Sequence, residues 1–161
     1  MAIELDDLQG IMRRMPGFVE RHVGPALFVA GNRIQTAAQI SLTTGAVSGQ
    51  NHTPSAPGSA PNNDTGVLAN NIETVQVNRL KVQVTSSASG SDTDGGEFGP
   101  GKAAAEVSSN APYAAALEFG TSRVAARPYM APAANKERKA SERIVQQAVK
   151  RAVRLALRGA R

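Results

Sequence analysis

The order of periodic segments predicts an α+β fold, a small curved antiparallel sheet packed against a long N-terminal helix and a C-terminal helix. Three observations carry this. Apolar residues recur at helical spacing towards both ends of the chain. Between residues 72 and 85 they alternate with a period of two. The helix and strand patterns do not alternate as βα units. With 161 residues and no internal repeat, the chain reads as a single domain over 1–161.

At the start, Ile3, Leu5, Leu8, Ile11 and Met12 lie at helical spacing, and Pro16-Gly17 is expected to end that short helix. A second helical pattern runs from Phe18 to about Leu42 through Val19, Val23, Leu27, Ala30, Ile34, Ala37, Ala38 and Ile40. Gly24-Pro25 is expected to kink or split it, because proline removes a backbone donor and clashes with the preceding turn. Residues 43–66 are Gly, Ser, Pro, Asn and Thr with almost nothing to bury. They predict a long loop, mobile over about 44–60. A helix turn is expected at about 65–71.

Ile72–Thr85 alternates in two registers, first Val75 and Val77, then Leu80, Val82 and Val84. The slip at Asn78-Arg79 predicts a turn or bulge between two strand segments. Residues 86–101, SSASGSDTDGGEFGPG, read as a second flexible loop, and Ala103–Val107 as a strand. Pro112–Phe119 reads as a short helix stopped by Gly120. The clearest helix is Asn135–Leu157, within a basic stretch over about 135–158. Ala140, Ile144, Ala148, Val149, Ala152, Leu155 and Ala156 share one face, with Lys139, Arg143, Lys150, Arg151, Arg154 and Arg158 interspersed. Its basic last turns suit the helix dipole.

Composition narrows the function classes. Aromatics make up 4% and Trp is absent, so the isolated subunit has a small core that oligomerisation would supplement. No cysteine is present, which removes disulfides, thiolate ligands and thiol nucleophiles. His22 and His52 are the only histidines, too few for a zinc cluster at usual spacing. No signal peptide and no apolar run near the roughly 18 residues of a membrane span is visible, so no membrane partner is expected. Charge is asymmetric: residues 1–120 carry a net −4 and residues 121–161 a net +9, within the overall +5. A basic tail of this kind meets nucleic acid, an acidic protein face or water.

Two strings imitate active sites. Asp64-Thr65-Gly66 is the tripeptide of aspartic proteases, but it follows a polar turn and Val67 comes next; an Asp cap on a helix turn is the plainer reading. Gly96–Ala103, GEFGPGKA, matches a phosphate-binding loop except that Ala103 stands where a magnesium-binding hydroxyl is needed. No buried strand precedes it, so a hairpin tip is expected. No constellation for nucleophilic catalysis is apparent, and neither a catalytic residue nor a cofactor or metal site is assigned.

The most informative segment is PYAAALEFGTSRVAARPYMAPA, Pro112 to Ala133. It resembles a signature of the tail-completion, or minor tail component, family of long-tailed double-stranded DNA bacteriophages. The matching positions are Tyr113-Ala114, then Glu118-Phe119-Gly120-Thr121, then Arg127-Pro128-Tyr129-Met130 and Pro132-Ala133. A weaker match, Pro61–Ile72 with Asp64, Thr65 and Gly66, looks like the element that joins the N-terminal helix to the sheet in that family. The insert at about 44–60 and the loop at 86–101 depart from the pattern.

The residues also make physical sense by themselves. Phe119 and Tyr129 are expected to anchor the core, and Gly120 to sit at positive φ. Pro128 and Pro132 stiffen the lead into the last helix. Glu118 and Arg127 flank the turn and could pair within a subunit or across a boundary.

The resemblance implies a structural virion protein of the neck, not an enzyme. It would be made in the host cytoplasm and assembled as a hexameric ring between head and tail. Implied partners are the head-closure or adaptor protein, the tail terminator and the tail tube, with genomic DNA passing through without sequence-specific binding. The C-terminal helix, with Ile144, Ala148, Val149, Ala152 and Leu155, is expected to serve assembly. Arg151, Arg154 and Arg158 would then face the acidic body of a neighbour in preference to the channel. A basic nucleic-acid-binding protein is the alternative.

Overall fold

A computed structural model describes residues 5–46, 49–86, 105–109 and 112–158. The elements are α1 (Leu5–Thr43), a 3-10 turn (Gly49–Asn51), α2 (Val67–Asn70), β1 (Ile72–Asn78), β2 (Lys81–Ser86), β3 (Ala105–Ser109), α3 (Pro112–Phe119) and α4 (Met130–Arg158). The class is α+β: a long N-terminal helix and a C-terminal helix with an antiparallel strand pair packed against them.

α1 is one helix of 39 residues, not two segments, and both Pro16 and Pro25 lie inside it. The reason is tertiary. Ile11, Val23, Ala26, Leu27 and Ala30 are buried on either side of the prolines. Each proline frees the carbonyl four residues earlier, at Met12 and Arg21. Both of those residues are exposed, so water can satisfy the carbonyls.

α4 runs antiparallel along α1. Met130 and Ala133, at its start, pack with Ile34, Ala37 and Leu42, whereas Val145 and Ala148 pack with Val23 and Leu27. Arg33 and Glu137 clasp the two helices at 2.6 Å. Close helix packing is possible because the facing residues are mostly alanine: Ala133, Ala152 and Ala156 on α4, and Ala26, Ala30 and Ala37 on the Arg33 side of α1 are all buried.

The strand order is β1-β2-β3. β1 and β2 form the expected antiparallel hairpin through Arg79-Leu80, with an irregularity between Gln76 and Asn78 where the sequence slips register. β3 corrects the all-antiparallel expectation: it pairs parallel to β2, Val82 opposite Ala105 and Ser86 opposite Ser109, so the sheet is mixed. A parallel neighbour needs a connection of about a dozen residues or more, and residues 87–104 intervene in the sequence. The flexible loop expected at 86–101 and the GEFGPGKA string lie, Ser86 apart, outside the described residues.

The sheet lies close on α1. Val82 and Val84 are fully buried. The chain from α2 through β1 to the hairpin turn descends the helix: Gln39 donates to the carbonyl of Ala69 at 3.0 Å, Thr74 to Gln35 at 2.8 Å, and Arg79 to Glu20 at 2.6 Å. Gly24 permits the hairpin turn to seat here, since a Cβ at Gly24 would collide with the Arg79 carbonyl oxygen. Gly24 therefore admits a neighbouring backbone and does not break the helix.

The segment 44–60, as far as it is described, is a loop with one 3-10 turn, and it makes specific contacts with the rest of the subunit. Gly58 donates to the carbonyl of Ala126 at 2.8 Å, the Asn62 side chain to the carbonyl of Thr53 at 2.7 Å, and Asn63 to the carbonyl of Leu42 at 3.1 Å. Composition alone suggested nothing to bury, yet Ala60 packs against the larger core cluster and Pro61 is buried.

Gly24→Ala is expected to lower stability by about 1–3 kcal/mol through overpacking, despite alanine's helix advantage of roughly 1 kcal/mol. Gly17→Ala, whose Cβ meets nothing within 4 Å, should keep that advantage. Urea unfolding midpoints of the two variants check this; equal midpoints would remove the close approach as a constraint.

Candidate functional site

The family-like segment folds as one hydrogen-bonded junction between α3 and α4. α3 has two turns, and they point Ala114, Leu117 and Glu118 inward. Glu118 is 9% exposed. Its Oε2 accepts from the backbone N–H of Tyr129 at 2.8 Å and of Met130 at 3.0 Å, and its Oε1 from that of Ala131 at 2.9 Å.

These bonds complete the start of α4. A helix leaves its first N–H groups without internal partners. Here Glu118 takes those of Tyr129, Met130 and Ala131; Pro132 has none; and Ala133 already donates to the Tyr129 carbonyl at 3.4 Å. A carboxylate at this end also suits the helix dipole. α4 thus begins at Met130, five residues before the sequence expectation, because its cap comes from another helix and not from the preceding residues.

The turn between is equally determined. Gly120 has φ 75°, as expected, and a Cβ there would stand 3.0 Å from the Ala126 nitrogen. Thr121 Oγ1 accepts from the N–H of Arg123 at 3.2 Å and Val124 at 3.0 Å. Arg127 donates its N–H to the Leu117 carbonyl at 2.6 Å and its Nε to the Ser55 carbonyl at 3.0 Å. Glu118 and Arg127 therefore do not pair within the subunit, because each is engaged by backbone. Tyr129 is fully buried and Met130 nearly so; they join Leu68, Ala69 and Ile72 of the weaker family-like element in one core cluster. Pro128 is half-buried and Pro132 exposed.

Two expectations fail here. Phe119 does not anchor the core: it is 82% exposed, because the last residue of a two-turn helix points away from the face that holds Ala114 and Glu118. Asp64 does not cap α2. Gly66, at φ 82°, occupies the cap position without a side-chain bond. Asp64 instead accepts from the Gly49 N–H at 2.9 Å, and His52 Nδ1 lies 3.9 Å away. Thr65 is exposed beside it. Tyr113 is 43% exposed at the start of α3, and partial burial raises its phenol pKa. The Arg79 pKa is raised by its hydrogen bond and charge interaction with Glu20.

α4 carries two further features that the sequence reading did not separate. Of the expected assembly face, Ile144, Ala148 and Leu155 are half-buried and Ala152 is buried, while Val149 is exposed. The informative stripe is instead Val145, Val149, Val153 and Leu157, at strict four-residue spacing. Val145 packs against Val23, Leu27 and Val82. The stripe then runs past the hairpin turn, where no described strand lies against α1 before Glu20, and Val149, Val153 and Leu157 are 40%, 37% and 47% exposed. The second feature is a basic stripe of Lys136, Lys139, Arg143, Lys150, Arg154 and Arg158, all exposed. Arg151 is exposed as well. The i, i+4 spacing is the signal for the apolar stripe, and three-, four- and seven-residue steps for the basic one.

Among the described residues no group of three or more His, Asp or Glu could hold a metal ion, and no helix is long and apolar enough to cross a membrane. No protein-family model matches the chain, and no curated protein or solved structure matches it.

Glu118→Ala should cost about 2–4 kcal/mol, by leaving buried donors unmet and removing a cap. Gly120→Val should cost about 1–3 kcal/mol, from strain at positive φ. Phe119→Ser should stay within about 0.5 kcal/mol, as at an exposed position. Thermal or urea unfolding of the three variants orders them; a Phe119→Ser loss as large as that of Glu118→Ala would overturn this account.

Proposed function

We propose that the chain is a structural, non-enzymatic subunit of a bacteriophage neck. In this reading it forms a closed homo-oligomeric ring that completes the tail, joins it to the head and lets the genome pass. It would be made in the host cytoplasm and reside in the virion, against the head-closure or adaptor protein on one side and the tail terminator and tube on the other. The likeness of Pro112–Ala133 to the tail-completion signature motivates the reading. Its residues are bound into a scaffold element, with Glu118, Gly120, Thr121 and Arg127 each engaged in backbone geometry and not presented to a substrate.

The observation that carries the ring is the presence of two different exposed apolar faces. One is the Val149, Val153 and Leu157 stripe of α4, beyond the sheet. The other is the outer side of the hairpin, where Val75 and Val77 are 41% and 49% exposed and Leu80 at the turn is 38% exposed. A ring of identical subunits needs two unlike surfaces that meet head to tail. In the proposed contact the α4 stripe of one subunit covers the outer hairpin face of the next.

Val153→Asp disables the first face and Val77→Asp the second, both at exposed positions that spare the fold. Each variant alone should stay monomeric by light scattering, while wild type gives rings by electron microscopy. An equimolar mixture of the two variants should stop at dimers, since only one intact pair of faces remains. Large assemblies from the mixture, or a wild type that is monomeric at all concentrations, would defeat the proposal.

A further inference from the structure

We infer that the basic stripe of α4 is a contact surface for the phosphate backbone of double-stranded DNA. Lys136, Lys139, Arg143, Lys150, Arg154 and Arg158 follow one another at helical three-, four- and seven-residue steps, so they lie along one side of the helix. From first to last the stripe is about 33 Å long at 1.5 Å per residue. All six side chains are exposed, and none forms an ion pair or hydrogen bond with another described residue.

A solvated helix face ordinarily mixes signs, because like charges four residues apart weaken a helix. Arg138 with Glu142 shows the ordinary arrangement on another side of α4. The stripe keeps Lys139 with Arg143, Lys150 with Arg154, and Arg154 with Arg158 as like-charge pairs. A polyanion laid along it would offset that cost.

An acidic face on a second copy is the other conceivable occupant, and the described residues offer little of it. Glu20, Glu137 and Glu142 are paired with arginines, Glu118 caps α4, and Asp64 holds Gly49. Glu73 alone, among the carboxylates whose side chains are described, has no such engagement. Duplex DNA fits the stripe better: its charge is regular and continuous, and α4 carries no aromatic residue on which single-stranded bases would stack. Flexible cations contacting only phosphates let the duplex slide, so such a surface is compatible with passage of DNA.

The stripe is also free when the proposed ring contact is made. Lys150, Arg154 and Arg158 each follow a residue of the apolar stripe by one position, about 100° round the helix. One side of α4 can then meet a neighbouring subunit while another meets DNA. The inference deepens the ring reading, but it stands on the stripe alone.

The test uses the full chain and a duplex of about 30 base pairs in two unrelated sequences, titrated over a range of salt. Wild type should bind both equally, with log affinity falling against log salt at a slope between about −3 and −5. The combined variant Lys139→Gln, Arg143→Gln, Lys150→Gln and Arg154→Gln should bind at least tenfold more weakly, with the slope shallower by about 3. Circular dichroism and light scattering should show its fold and assembly state unchanged. Equal binding by wild type and variant, or no duplex binding by wild type at low salt, would overturn the inference. So would displacement of the duplex by polyglutamate at matched charge, which would assign the stripe to an acidic protein face. Assembled rings without DNA affinity sink this inference and leave the ring reading; a monomer with the full salt slope does the reverse.

Discussion

The carboxylate of Glu118 is the interaction on which the arrangement depends. It is nearly buried, and its two oxygens take three backbone donors at the start of α4. A carboxylate held in this way fixes both partners at once. It positions the end of α3, from which the Gly120 turn departs, and it sets where α4 begins and in which direction it leaves. The full burial of Tyr129 follows, because its own N–H is one of the three donors and its ring is drawn into the cluster with Leu68, Ala69 and Ile72. Displacing the carboxylate would therefore disturb α3, the turn, α2 and α4 together.

α1 provides the other constraint. It is the surface on which the hairpin and α4 both lie, so its residues must suit two neighbours at different angles. Alanines face α4 and allow the helices to approach. Glycines face the sheet: a Cβ at Gly31 would stand 2.7 Å from the Thr74 methyl, and one at Gly24 closer still to the Arg79 carbonyl. The low aromatic content thus has a structural counterpart. The subunit gains close backbone packing in place of large side chains, and leaves several aliphatic residues outside.

Much of the fold was legible in the sequence wherever a local rule decided the outcome. The bounds of α3, the left-handed turn at Gly120, the hairpin at Arg79-Leu80 and the class of the whole followed from capping, turn and periodicity rules. The failures share one cause, a distant partner. Pro16 and Pro25 break a helix by local rules, but burial on both sides of each holds α1 together. α4 starts early because Glu118, 12 residues before Met130, caps it. Phe119 was assigned to the core for its size, but the orientation of α3, set by its neighbour Glu118, turns it outward. The contacts of segment 44–60 with the Ala126 carbonyl and the side chain of Arg127 are likewise ones that composition does not encode. In the junction, Glu118 and Arg127 flank the turn as the sequence has them, but within the subunit each is engaged by backbone, and the two stripes of α4 read in the sequence as one mixed face.

The pairing of α1 with α4 joins residues far apart along the chain; Arg33 and Glu137 are separated by 104 positions. Contacts between such distant segments form late, because a long loop must close before they return any stabilisation. During synthesis α1 precedes both the hairpin and α4, so Val23, Leu27 and Ile34, which pack with residues of both, lack their full cover until α4 arrives. Until α4 is made, the nascent chain thus carries an amphipathic helix whose apolar side lacks one of its partners, a species prone to aggregation and suited to capture by chaperones. How quickly α4 follows α1 then bears on the yield of folded subunits, a kinetic demand imposed by the same antiparallel pairing that joins the two helices.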